Sequence, residues 1–533
     1  MSPPRLLLER GLLPGIRWQA LRAFLARSVL PLTAGLVAVV VACPLVFVAL
    51  QSAQSGWGPA QRLLGRPLMA TLLWNTVTLA AAVTVITLVV GFSAAWLVER
   101  TSLPGRRAWT VLLAMPLAVP EFVHGYCWVS LFPSVQGLWG AVLVESSSLY
   151  PLVFLPVAAV LRRTDASAEE AAASLGRGPW STLWRVTLPM TRPALAGGAL
   201  LVSLYLLGEY GAFAMLRFTT FATAIYTQFN TAFDTASAGM LTIVLVALAL
   251  LVLLLESQVA KRRRVVREGA TARPASPVPL GRAALPAVVW LSAIVAVTLG
   301  VPVYALAYWL VRGSSTTLPS ASLWGLTAST LGYALAAAAV ATAAAVPVAL
   351  YAWRRDTGLA RGIERAAYLT RALPGIAVAL ALVFFAIRWA QPLYQQPPML
   401  VVAYVVLFFS LALTAVRSSL SHVPHSAEEA AQSLGKGPFA VLTRVTLPLV
   451  LPGLGAAFTM VALTASTELT ATLLLRPTGA GTLATQFWTY TTNLAWGAAA
   501  PYAAVMTALS IPAVLLLTAR TLNPAGGARG AAR

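Results

Sequence analysis

Residues 167–193 read SAEEAAASLGRGPWSTLWRVTLPMTRP, and residues 426–452 read SAEEAAQSLGKGPFAVLTRVTLPLVLP. Eighteen of the 27 positions are identical, at a constant offset of 259. A copy at that distance marks a chain assembled from two related units. Weaker echoes extend outward from it. Glu209 aligns with Glu468 and Arg217 with Arg476 at the same offset, and Thr227-Gln228-Phe229 aligns with Thr485-Gln486-Phe487 one residue tighter.

Each copy has a local physical reading. Ser167 with Glu170, and Ser426 with Glu429, form S-x-x-E patterns that predict a capping box at a helix start. Gly176 and Gly435 suit the left-handed residue that ends such a helix. Gly178-Pro179 and Gly437-Pro438 predict an N-cap followed by proline at the first position of a second helix. That helix is expected to run to Leu188-Pro189 and Leu447-Pro448, where proline resets the chain for a new segment. Each copy is thus expected to form a knob whose first helix, of roughly eight residues, is about 12 Å long. Glu169 and Glu428 read as solvated charges favoured by the helix dipole.

The surroundings say where the knobs stand. Of 533 residues, 59% are hydrophobic and 10% charged, against roughly a quarter charged in a soluble domain. Apolar runs of the ~20 residues needed to cross a bilayer occur near 29–51, 71–98, 109–132, 140–161, 194–216 and 238–258. Six more follow near 284–310, 326–353, 366–388, 399–416, 453–475 and 497–519. The break between the two sets, 259–283, is basic and then rich in Pro, Ala and Ser, as a polar linker is. The reading is therefore an all-α membrane protein of about twelve spans. Its units are 1–258, with a basic N-terminal segment 1–28, and 284–533, and they are expected to be related by a pseudo-twofold axis. Both knobs fall between the fourth and fifth span of their half.

The net charge of +21 comes from 37 Lys and Arg against 16 Asp and Glu. Placing the N-terminus in the cytoplasm leaves 31 of the 37 basic residues inside, and only Arg62, Arg66, Arg217, Arg312, Arg388 and Arg476 outside. That asymmetry obeys the positive-inside rule and makes the surplus an orientation signal rather than a nucleic-acid one. Both termini and both knobs are then cytoplasmic, with membrane lipid as a partner. No signal-peptide cleavage pattern follows the first apolar run. Segment 16–27 reads either as a surface-lying amphipathic helix or as an unstructured tail. Cys43 and Cys127 sit in apolar runs without any metal or disulfide spacing.

The pattern E-A-A, three residues, G, nine residues, a β-branched residue, any residue, L-P resembles the EAA loop of ABC-importer permeases. It is carried by Glu170, Ala171, Ala172, Gly176, Leu188 and Pro189, and by Glu429, Ala430, Ala431, Gly435, Leu447 and Pro448. The likeness covers nearly the whole chain, each half being similar to a six-span type I importer unit. It implies a transport subunit of the bacterial inner membrane, not an enzyme, with the knob helices docking on two separate ATP-binding cassette subunits. An extracytoplasmic solute-binding protein is implied as a further partner. No cofactor is expected on this chain, ATP and Mg belonging to the ATPase, and no G-x-x-x-x-G-K-[ST] loop is present.

Among such permeases the fused form, with GEYGAFAMLRFTTFATAIYTQF (208–229) and STELTATLLLRPTGAGTLATQFW (466–488), is most similar to iron(III) permeases. Thiamine and phosphonate importers are the alternatives. A major-facilitator secondary transporter also has twelve spans, but it gives the knobs no role. Glu209 and Glu468 are rare intramembrane carboxylates. They either lower the barrier for a cation in a central passage or hydrogen-bond neighbouring helices near an outer gate. Glu121, His124 and Cys127 share one helical face but have no counterpart in the second half, where Pro374-Gly375-Ile376 stands. They read as bundle-facing polar residues, and any metal ligand is left unassigned. Segments 217–230 and 476–490 are candidates for binding-protein contact, with interfacial anchoring by Trp488 and Tyr490 as the competing reading.

Overall fold

The computed structural model describes residues 29–44, 46–47, 65–163, 167–261, 277–316 and 321–522. The segments 1–28, 262–276 and 523–533 lie outside the described residues, and with them the expected surface helix at 16–27 and most of the linker. Among the described residues the regular elements are helices, apart from one isolated parallel bridge between Thr101 and Val278. Nine helices among the described residues are long and apolar enough to cross a membrane, and two more pairs qualify as bent spans. Together with the shorter apolar helix Val29–Pro44 they answer the expected runs one for one.

Two compact units are present, each drawn from several stretches of chain. The larger comprises Pro44–Ala338, Ala372–Leu407 and Thr459–Arg533; the smaller comprises Met1–Cys43, Ala339–Arg371 and Phe408–Phe458. In the larger unit the helix Pro67–Arg100 packs against Pro151–Arg163 and Leu188–Gly208. Val153 is the pivot of that packing. A Cβ on Gly91 would lie 2.8 Å from the Val153 Cβ, and one on Gly198 would lie 3.0 Å from its Cα. Small residues let helices approach this closely where lipid supplies no hydrophobic drive of its own. In the smaller unit Gly453 of the helix Leu447–Ser466 abuts Ser419 of Pro397–Leu420 in the same way.

The third and ninth expected spans are bent. Arg106–Ala118 meets Glu121–Leu131 at 89°, and Gly358–Ala372 meets Gly375–Trp389 at 108°. Pro120 and Pro374 are the hinges, both extended (ψ 147° and 144°) and both N-caps of the following helix. Proline lacks the N–H that would continue the ladder, so the chain turns and starts again. The fifth and eleventh spans, expected to end near 216 and 475, instead stop at Gly208 and Ser466. Short helices Gly211–Met215 and Thr470–Leu475 follow.

Leu188-Pro189 and Leu447-Pro448, expected to end the second knob helix, do not. Trp180–Gly208 and Phe439–Ser466 each run through as one span. A π-turn, Leu183–Thr187 or Leu442–Thr446, stands immediately before the Leu-Pro pair. A third, Ala296–Gly300, precedes Val301-Pro302. The wider π-turn moves the carbonyl that a proline ring would otherwise strike four residues back, so the helix survives its proline.

Candidate functional site

The first knob helix is Ser167–Ser174 and the second is His425–Ser433. In the second copy the expected capping box is absent. Pro424 is the N-cap, no side chain caps it, and Ser426 lies inside the first turn. Proline's fixed φ sets the start there without a hydroxyl. Both helices end as expected, with Gly176 and Gly435 at φ +77°. Arg177 N–H donates to the Ala172 carbonyl and Lys436 N–H to that of Ala431, both at 3.1 Å, which closes a Schellman turn. The Gly178 and Gly437 carbonyls then accept the first bonds of the second helix, from Thr182 and Val441.

The turns present apolar side chains outward. Leu175 and Leu434 are 79% and 80% exposed, and Trp180 and Phe439 are 72% and 77% exposed. Glu170 and Glu429 are exposed beside them, as are Ala171 and Ala430, whereas Ala172 is buried. Leu188, Pro189 and Leu447 are half-buried and Pro448 is exposed, at the start of the span rather than on the knob tip.

Glu169 and Glu428 are not solvated, which corrects the expectation. Thr187 Oγ1 donates to Glu169 Oε1 at 2.8 Å, and Arg100 Nε lies 3.5 Å from Glu169 Oε2. In the second copy Thr446 Oγ1 donates to Glu428 Oε1, and Arg354 Nη2 donates to the same oxygen at 2.8 Å. The duplicated Glu and Thr are visible in the repeat. The arginines are hidden in it, because Arg100 and Arg354 are 254 rather than 259 residues apart. In the larger unit Val278 also pairs with the backbone beside Arg100, its N–H donating to the Arg100 carbonyl at 2.8 Å. Glu99 is buried nearby between Arg106 and Arg162.

The intramembrane carboxylates lie in the larger unit, at the breaks of its spans. Glu209 Oε1 accepts the Ala212 N–H at 2.6 Å, and Glu468 accepts that of Ala471 at 3.0 and 3.2 Å. Each thus accepts a backbone N–H of its own short helix, and Glu209 also meets Glu121 at the start of the neighbouring helix Glu121–Leu131. The Glu121 carboxyl is hydrogen-bonded to that of Glu209, and Glu145 and Glu468 lie near it. Glu145 is fully buried, and neither of its oxygens has a hydrogen-bond partner among the described residues. His124 Nε2 bonds the Pro116 carbonyl at 3.3 Å and Cys127 faces the Pro302 carbonyl, so both are bundle-facing. Among the described residues no three His, Cys, Asp or Glu are placed to hold a metal ion. Trp488 is buried against Tyr210, ring centroids 5.4 Å apart, which removes it as a lipid anchor. Thr482 and Thr485 form a reciprocal capping box in the second outer segment, and in the first the Thr220 N–H donates to Thr223 Oγ1 at 2.8 Å.

An all-helical membrane chain with two copies of one knob is the architecture of a transport permease. Residues 102–265 and 345–520 each match the family described as binding-protein-dependent transport system inner membrane component, and the chain belongs to that family. It is the permease subunit of an ABC importer, a class that works with ATPase and binding-protein partners. Among its relatives is the Fe(3+)-transport system permease protein FbpB 2 of Haemophilus influenzae, 36% identical over 481 residues, which are 89% of this chain and 94% of that protein. The sulfate transport system permease CysW of Escherichia coli is 31% identical over 188 residues, 32% of this chain and 65% of that protein. The molybdenum transport system permease ModB of Escherichia coli is 29% identical over 219 residues, 36% of this chain and 95% of that protein.

Proposed function

We propose that this permease imports iron(III) across a bacterial inner membrane, taking it from an extracytoplasmic binding protein. Two ATPase subunits drive it, one seated on each knob at the cytoplasmic face, with ATP and Mg held by those subunits. The long alignment to an Fe(3+) permease supports the cargo. The observation that carries it is the extent of that match, which spans 89% of this chain and 94% of that protein, whereas the sulfate and molybdenum permeases match about a third of this chain.

Coupling rests on the apolar pairs Leu175 and Trp180, and Leu434 and Phe439, held outward by the left-handed glycine turns. Exposed apolar anchors on a rigid turn are what a partner's cleft takes up. ATP binding draws the ATPases together and moves the knobs, which opens the passage outward. Hydrolysis and product release return it to the inward-facing state. Reconstituted vesicles holding the permease, its ATPase and its binding protein test the cargo. We expect ATP-dependent uptake of radiolabelled Fe³⁺ and none of thiamine, aminoethylphosphonate or sulfate. Uptake of thiamine in place of iron overturns the cargo.

A further inference from the structure

We infer that Glu169 and Glu428 are positioning residues that carry the motion of each knob into two membrane spans at once. This rests on the knobs being the ATPase-docking elements. In both copies one carboxylate of the knob helix reaches into the rest of its unit, and its contacts there include two groups. One is the threonine that closes the π-turn at the head of the following span, Thr187 or Thr446. The other is the arginine that ends a 34-residue span far away in sequence, Arg100 of Pro67–Arg100 or Arg354 of Ala321–Arg354.

Burial makes the connection stiff. Thr187, Thr446, Arg100 and Glu428 are all buried, while the helix tips carrying Glu170, Leu175, Glu429 and Leu434 are exposed. A charge-assisted hydrogen bond away from water is short and directional, as between Arg354 and Glu428, while in the first copy Thr187 makes the hydrogen bond and Arg100 adds an ion pair at 3.5 Å. A push on the exposed tip is therefore delivered through Glu169 or Glu428 to both spans, whereas the exposed glutamate one residue on has no such path. The π-turn adds compliance where it is needed. Its extra residue per turn can shift along a helix without unfolding it, and the carboxylate holds the end of that turn. The same clasp built twice, with arginines drawn from a different sequence offset, argues that the geometry and not a shared stretch of chain is what both halves require.

The test uses the full permease co-purified with its ATPase in lipid vesicles, with Fe³⁺-loaded cognate binding protein added outside. Glu169→Gln with Glu428→Gln keeps shape and removes the charge; Thr187→Val with Thr446→Val removes only the hydroxyls. We expect both double variants to retain the ATPase in the wild-type ratio and to hydrolyse ATP. We expect hydrolysis no longer to rise when binding protein is added, and Fe³⁺ uptake to fall at least tenfold. In the second half, Arg354→Glu combined with Glu428→Arg should recover stimulation that Glu428→Arg alone has lost. Stimulation and uptake within twofold of wild type in either double variant would overturn the proposal. Loss of the bound ATPase would do the same, since it makes these glutamates part of the docking surface or of the knob's own fold. The underlying docking reading is judged separately, by Leu175→Asp with Leu434→Asp. If that variant still co-purifies with the ATPase, docking on the knobs is wrong.

Discussion

Gly176 and Gly435 adopt φ +77° with open space where a Cβ would stand, so a side chain there meets backbone strain and no steric clash. A β-branched residue pays ~1–2 kcal/mol to hold that conformation. Replacing both glycines by valine should leave membrane insertion intact, abolish binding-protein-stimulated ATP hydrolysis and reduce uptake more than tenfold in vesicles. Asp234 is a plainer case, at the head of the helix Thr235–Lys261 and outside the span. Its Oδ1 accepts the Ser237 N–H at 3.0 Å, and hydrogen bonds from the Ser237 side chain and backbone hold its carboxyl below the usual carboxylate range. A depressed carboxyl adds stability above its unfolded value near ~3.9, and that stability is lost as pH falls through the folded value. Asp234→Ala should therefore cost roughly 0.5 kcal/mol at pH 7, with the difference shrinking at an acidic pH below the carboxyl's folded value. Thermal unfolding of the detergent-solubilised protein at the two pH values checks it. Glycine turns of this kind are legible in sequence, because few residues tolerate positive φ. The partners of Glu169 and Glu428 are not, because a carboxylate next to a helix start looks solvated until a distant arginine is folded against it.

At the scale of elements, apolar run length located every span, since a helix must bury its own backbone groups throughout the hydrocarbon. What it hid was the course of the chain inside those runs. Pro120 and Pro374 bend their spans sharply, yet Pro189, Pro302 and Pro448 are absorbed by π-turns and leave theirs continuous. The residue type is the same, so the outcome depends on whether neighbouring helices favour a widened turn or a new helix start. Helix contacts were equally out of reach. Gly197 and Gly198 are adjacent and chemically identical, but a Cβ at Gly197 meets nothing within 4 Å while one at Gly198 strikes Val153 and the Leu152 carbonyl. Gly198→Leu should overpack that contact by about 1–3 kcal/mol or more and sharply reduce the yield of monodisperse protein. Gly197→Leu should be tolerated. Size-exclusion profiles of the two variants from parallel preparations make the comparison.

At the scale of the molecule, the basic residues predict one orientation for every loop. Alkaline phosphatase fused after Arg177 or after Lys436 should be inactive, and a fusion after Thr231 should be active. Active enzyme at either knob would reverse the topology and put docking on ATPases out of reach. By itself the sequence determined the membrane class, the duplicated permease units and the two knobs. Each of these rests on local composition or on a stretch of chain compared with its own copy. Only the tertiary structure decided that Glu121 meets Glu209, and that Glu169 and Glu428 are clasped rather than solvated. Those facts depend on residues tens to hundreds of positions apart meeting in a low-dielectric interior, where a carboxylate's neighbours, and not its spacing along the chain, set what it does.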